Sequence, residues 1–142
     1  MGLRLPVGGV TVLLGPSAER AAVLAALDPG SARCGEGHGA LPVLRLSAAA
    51  GDDVPARLGA VEAALAQAAP VVLVDRLTAG LPAPERRRVL AALRPVAAAG
   101  SAVLVDDDDP VAVLGVADAA LRTATLAVEQ VPDPRRLELL AS

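Results

Sequence analysis

The sequence predicts an α/β fold in three layers: a mostly parallel sheet flanked by helices on both faces. Three observations predict it. Short apolar runs recur at Val10 to Leu14, Val71 to Val74 and Ser101 to Val105. Continuous runs of that length suit strands buried on both faces of a parallel sheet. Between them lie segments whose apolar residues fall at helical spacing, so strand and helix alternate along the chain.

The elements follow in order. Leu3 to Leu5 alternates weakly and could be an edge strand. Pro6-Val7-Gly8-Gly9 is a turn, and Val10 to Leu14 is the first buried strand. Gly15-Pro16-Ser17 is a loop, with Ser17 a candidate N-cap and Glu19 suited to the positive end of the helix. The helix covers Ala21 to Leu27 and stops at Asp28-Pro29-Gly30. Ser31 to Gly39 is a polar, Gly-rich loop. Ala40 to Ser47 reads as a strand that Pro42 keeps near its start or at an edge. Asp53 can cap a helix from Val54, with Pro55 in its first turn. Val54, Leu58, Val61 and Leu65 would then form its buried face.

Pro70 to Asp75 is a strand with a single acid at its tip. A helix follows whose stripe is Val89, Leu90, Leu93 and Val96. Pro95 should shorten or bend it, and Gly100 should end it. Ser101 to Val105 is the next strand, and Val111 to Val116 a short helix. Ala119 to Arg122 and Leu126 to Gln130 can pair as a hairpin. A last helix is expected over about 133–140.

Composition narrows the function. The chain has 142 residues, long enough to bury a core, and 54% of them are hydrophobic. None is aromatic, so the core must be Leu, Val and Ala. All 13 basic residues are Arg, which points to a GC-rich bacterial genome. With a net charge of −3, no basic stripe and no ring on which to stack a base, nucleic-acid binding is not expected. A single Cys, Cys34, fits a reducing cytoplasm. No apolar run reaches the roughly 18 residues of a membrane span. The N-terminus only faintly imitates a signal peptide, because Gly8 and Gly9 break its apolar stretch.

Two blocks carry a resemblance. VVLVDRLTAGLP, residues 71–82, resembles the strand and following turn of the ATP-binding cassettes of ABC transporters, a branch of the P-loop NTPases. In that family the strand ends in an Asp that holds Mg²⁺, then a Glu that activates water, then Pro-Thr-Ala-Gly-Leu-Asp. Asp75 and Thr78-Ala79-Gly80-Leu81 match. Arg76 stands at the Glu position, Leu77 at the Pro and Pro82 at the Asp. The earlier block, VTVLLGPSAERAAVLAAL, is similar to the family's strand, GPSGxGKST loop and helix. It keeps Gly15-Pro16-Ser17 and departs where phosphate would be touched. Ala18 and Arg20 replace glycines, Ala21 replaces the Lys, and Ala22 replaces the Mg²⁺-binding hydroxyl. The resemblance continues into the C-terminal half, where Asp108 falls at the position of the family's switch His. The family's helical subdomain and LSGGQ signature have no counterpart; the signature would fall near Asp52 to Ala56.

The resemblance implies one truncated ABC-ATPase-like domain over residues 1–142. Gly15, Pro16, Ser17 and Arg20 would be the relic of its phosphate loop. Asp75 and Asp108 are the candidate metal ligands. No catalytic residue is expected. The residues themselves support blander roles: Asp75 as a structural acid, Asp106 to Asp109 as a solvated loop whose four acids cannot face one point, and Arg86 to Arg88 as a solvated helix face partly paired with Glu85. Cys34 and His38 have metal-like spacing but lack a second pair for a zinc site.

The expectation is a non-catalytic protein, a structural or regulatory partner of an ABC transporter-type assembly. Its partner would be an intact ABC ATPase or a membrane permease subunit. It would be cytoplasmic, held at the inner membrane only through that partner, and would need no cofactor. One alternative is an active ATP-binding subunit using ATP and Mg²⁺, with Arg20 for the Lys, Asp75 on the metal and Asp108 as base. Another is a divalent-cation-binding module built on the acidic cluster.

Overall fold

The computed structural model of the chain describes residues 5–27, 42–124 and 128–130. The expected edge strand at residues 3–5 has only Leu5 in this set, and Leu5 belongs to no strand. Cys34, His38 and the expected C-terminal helix lie outside the described residues.

Six strands form one sheet. They are β1 (Val10–Leu14), β2 (Val43–Ser47), β3 (Val71–Asp75), β4 (Ala102–Asp106), β5 (Ala119–Arg122) and β6 (Val128–Gln130). Their order is β2-β3-β4-β1-β5-β6. The first five are mutually parallel, and β6 runs antiparallel to β5, closing the expected hairpin. β2 is an edge strand, and Pro42 stands just before it, where a missing N–H disturbs no ladder. The helices are α1 (Ser17–Ala26), α2 (Val54–Gln67), α3 (Ala83–Ala91), α4 (Leu93–Ala98) and α5 (Pro110–Leu114).

Period-2 alternation sorts the strand residues onto two faces. Val10, Val12, Val72, Val74, Val103 and Val105 pack with the apolar sides of α2 to α5. Leu13, Leu73, Leu104 and Leu121 pack with Val23 and Leu24 of α1. In β3 and β4, Val lines one face and Leu the other, so both strands are apolar up to their terminal Asp, as the unbroken runs required. The strand order reverses at β1: the chain crosses from β1 to the β2 edge, fills back through β3 and β4, then emerges as β5 on the far side of β1. In open α/β sheets such a reversal leaves a crevice at the carboxyl ends of the strands. Here that crevice lies between β1 and β4.

Several local expectations are met with adjusted detail. Asp53 caps α2, its carboxylate accepting from the Ala56 N–H at 2.9 Å. The long helix after β3 is broken into α3 and α4 at Ala92. Pro95 has no N–H for the Ala91 carbonyl four residues back, and its ring crowds that carbonyl. All four stripe residues, Val89, Leu90, Leu93 and Val96, are buried. The face of α2 is rotated from expectation. Val54 and Val61 are buried, but Arg57 and Ala64 complete the stripe, while Leu65 is 39% exposed. Arg57 draws the helix round because its guanidinium finds interior acceptors, described below.

Candidate functional site

The crevice is built first by the entry to α1. β1 ends at Leu14 and only Gly15 and Pro16 separate it from the helix, which begins at Ser17. Ser17 is therefore the first helical residue and not the cap. Pro16 holds the N-cap position with φ −58°, pre-set for helix entry, and no side chain caps the end. Gly15 has φ +136°, and a Cβ there would lie 2.1 Å from the Thr123 hydroxyl. That hydroxyl donates to Glu19 in the first turn of α1 at 2.7 Å. Gly15, Pro16 and Ser17 are exposed at the mouth, as are Ala18, Ala21 and Ala22.

Arg20 does something else. It is 9% exposed and shares the inner face of α1 with Val23 and Leu24. Its Nη1 donates to Asp106 Oδ1, and to the Asp107 carbonyl at 2.7 Å. Asp106 is the last residue of β4 and 3% exposed. It lies two residues beyond Leu104, so alternation points it to the α1 side. Burial pushes the Asp106 carboxyl above the ordinary carboxylate range, and Asp75 and Asp108 push the same way, against the pull of Arg20 and Arg76.

Asp107, one residue on, faces the opposite side of the sheet. It is 1% exposed. Its Oδ2 accepts from the Thr78 hydroxyl at 2.5 Å and its Oδ1 from the Asp109 N–H at 2.9 Å. Arg86 on α3 reaches the same cluster, with Nε 3.9 Å from Asp107 Oδ1 and Nη1 3.5 Å from Asp109 Oδ2. Asp109 also caps α5 through the Ala112 N–H. The acidic run is thus not a wholly solvated loop. Asp106 and Asp107 are interior groups on opposite faces, each with a partner, and only Asp108 is exposed. Arg86 likewise leaves the solvated helix face for this cluster, while Arg87 and Arg88 remain exposed.

Asp75 is the register partner of Asp106 across β3 and β4, and alternation beyond Leu73 places it on the α1 side too. Its side chain is 30% exposed, with Arg76 Nε at 3.9 Å. Arg76 adopts φ +48°, and its N–H donates to the Asp106 carbonyl at 2.9 Å. That bond extends the β3–β4 ladder past the strand end and fixes the turn toward Thr78. Among the described residues, no group of three or more His, Cys, Asp or Glu side chains comes together to hold a metal ion.

One residue had no expected role. Arg57 is 6% exposed, and its guanidinium serves backbone carbonyls. Nε and Nη2 donate to the Asp52 carbonyl at 3.0 and 2.8 Å. Nη1 donates to the carbonyls of Leu77 and Ala79 at 3.1 and 2.5 Å. It ties the start of α2 to the Thr-Ala-Gly turn. Its signal in the sequence was position: 54, 57, 61 and 64 also make a helical stripe. Arg20 gave the same signal, three and four residues before Val23 and Leu24.

A β1–turn–α1 unit, acids at the tips of β3 and β4, and this strand order define a P-loop NTPase-like fold of the ABC cassette kind. Solved structures agree. A nucleotide-free ATP-binding cassette from an ABC transporter superposes with a TM-score of 0.69 at 11% identity, over 97% of this chain and 86% of that one. CbiO1 from Clostridium perfringens, part of the ABC transporter complex CbiONQ, gives 0.59 at 14% identity, over 98% and 82%. An inward-facing metal-chelate type ABC transporter gives 0.53 at 14%, over 93% and 74%. No protein-family profile matches the sequence. No curated protein matches it either. The chain therefore has the fold of an ABC ATP-binding cassette. Only residues 48–53 separate β2 from α2. Among the described residues no helix is long and apolar enough to cross a membrane.

Proposed function

We propose that the chain is a non-catalytic ABC-ATPase-like protein, a structural or regulatory partner within an ABC transporter-type assembly. It works beside an intact ABC ATPase or a permease subunit, stays cytoplasmic, and reaches the inner membrane through that partner. One observation carries the non-catalytic part: α1 starts at Ser17, directly after Gly15-Pro16. The segment that would need to loop around a phosphate is already helical from Ser17, with the Arg20 N–H bonded back to the Pro16 carbonyl at 3.0 Å, so only the first-turn amides of a plain helix start are left in place of a wrapping loop. Ala21 and Ala22 supply neither an ammonium nor a hydroxyl. The residues present therefore do not fit the phosphates of a nucleoside triphosphate. The alternative that uses Arg20 as the phosphate cation is disfavoured, because its guanidinium is already bonded to Asp106 and the Asp107 carbonyl.

Titration calorimetry with Mg-ATP tests the reading. The expected outcome is no binding tighter than about millimolar, near −4 kcal/mol. Micromolar binding, or phosphate release above background, would overturn it. Affinity capture with a candidate permease or ATPase then tests the partner role separately.

A further inference from the structure

We infer that the base of the sheet, the end opposite the crevice, is a docking face for a second copy of this chain. The inference uses no residue of the crevice and stands whether or not the chain partners a transporter. Two features lie side by side there. The first is a cavity of about 330 Å³ beside the turn that leads into β1. Gly8, Pro95, Ala97 and Ala98 form its walls, and Arg94 and Asp118 add one charge of each sign. Gly8 helps to keep it open, since a Cβ there would stand 3.8 Å from the Ala97 carbonyl. The second feature is Val7, the residue before Gly8, which is 77% exposed. A single exposed Val is ordinary; one that adjoins an apolar-walled cavity it does not fill is a knob beside a hole.

The charges say what covers this face. Arg94 Nη1 donates to the Val116 carbonyl at 3.0 Å, and Asp118 Oδ2 accepts from the Val10 N–H at 2.9 Å. Those bonds steady both side chains at the rim, where both residues are exposed. Among the described residues they form no ion pair, with each other or with a third group. A patch that carries a knob, a hole, a cation and an anion is complementary to itself. Two copies related by a two-fold axis near Val7 set each Val7 in the other's cavity and each Arg94 beside the partner's Asp118. A surface of uniform charge would oppose one of the two rim groups. The patch is small and has no ring to anchor it, so the pair is weak, with a Kd of about 10⁻⁵–10⁻⁴ M. With the bases joined, both crevices point outward.

Sedimentation equilibrium of the whole chain tests this, from about 5 μM to about 1 mM, a range that brackets that Kd. Interference optics follow it, because the chain has no Trp, Tyr or Phe. Wild type should pass from monomer to dimer, and Val7→Asp should stay monomeric throughout. Arg94→Glu and Asp118→Lys should each weaken the dimer at least about tenfold, since every contact in a two-fold pair counts twice. Mixing the two charge variants should restore a dimer, because Glu at 94 of one then meets Lys at 118 of the other. Only a reciprocal pairing passes that mixing test. Asp118→Lys removes the acceptor of the Val10 N–H; should it fail to fold, Val7→Asp and Arg94→Glu, both at exposed positions, decide the matter. A chain that is monomeric at about 1 mM overturns the proposal, even if this face captures some other protein. So does a dimer that both Val7→Asp and Arg94→Glu leave intact, or a mixture of folded charge variants that stays monomeric.

Discussion

Replacing Arg57 should loosen the Thr-Ala-Gly turn more than its place on a helix would indicate. Its guanidinium makes four hydrogen bonds to three carbonyls, those of Asp52, Leu77 and Ala79. Leu77 is 1% exposed, so water cannot readily replace the donor to its carbonyl. A buried acceptor left unmet costs about 1–3 kcal/mol. The carbonyls of Asp52 and Ala79 lie nearer solvent and regain water, so each loses only about 1 kcal/mol. Arg57→Ala should therefore lower stability by about 4 kcal/mol, a large part of the roughly 5–15 kcal/mol a domain has. Arg57→Lys should recover less than half, because a single ammonium cannot span acceptors that need a planar fork. The chain has no Trp, Tyr or Phe, so urea unfolding must be followed by far-ultraviolet circular dichroism. Hydrogen exchange supplies the local readout: the Ala79 and Leu81 amides, bonded within the turn to Arg76 and Thr78, should lose protection first. A loss below about 1 kcal/mol in Arg57→Ala, with turn protection unchanged, would refute the reasoning.

Two further outcomes follow from the same crevice. Gly15→Ala forces an L residue to φ +136° and drives its methyl into the Thr123 hydroxyl, which must release Glu19. The expected loss is about 2–4 kcal/mol in urea unfolding, and adding Thr123→Ala should relieve the clash but not the backbone strain. Asp106 supplies a pH dependence. Its folded-state pKa is raised above the unfolded value, chiefly by burial, so the native state binds the extra proton. Its stabilising contribution is then fully present below the unfolded value and is lost as pH rises through the raised one. Wild type minus Asp106→Asn stability, measured by urea midpoints from pH 7 down to pH 4, should grow as pH falls across that window; a flat or opposite trend contradicts the burial argument.

Much of this fold was readable locally. Apolar runs marked β1, β3 and β4, because strands covered on both faces need no polar side. Asp53 before Val54-Pro55 marked a helix start, and Pro95 marked the break that falls at Ala92. Even the failure of Asp106 to Asp109 to face one point followed from strand alternation. Burial of the first two did not, since it depends on partners supplied by α1, α3 and the Thr78 turn. The departures of Ala18, Arg20, Ala21 and Ala22 from the phosphate-loop pattern were legible in the sequence. That Ser17 begins the helix was not, because Pro16 and the Thr123–Glu19 contact set that start together.

What the sequence determined by itself were the features that depend on neighbours a few residues away: periodicity, caps, breaks and the composition of a core without rings. Tertiary structure alone decided the strand order, the rotation of α2 around Arg57, and the meeting of Arg20 with Asp106. Those two residues lie far apart along the chain, and no local preference brings a guanidinium to a strand tip. They meet because the chain order reverses at β1, which sets the first turn of α1 against the end of β4. A charge on the inner face of each element is unfavourable alone, and packing makes each the other's counter-ion.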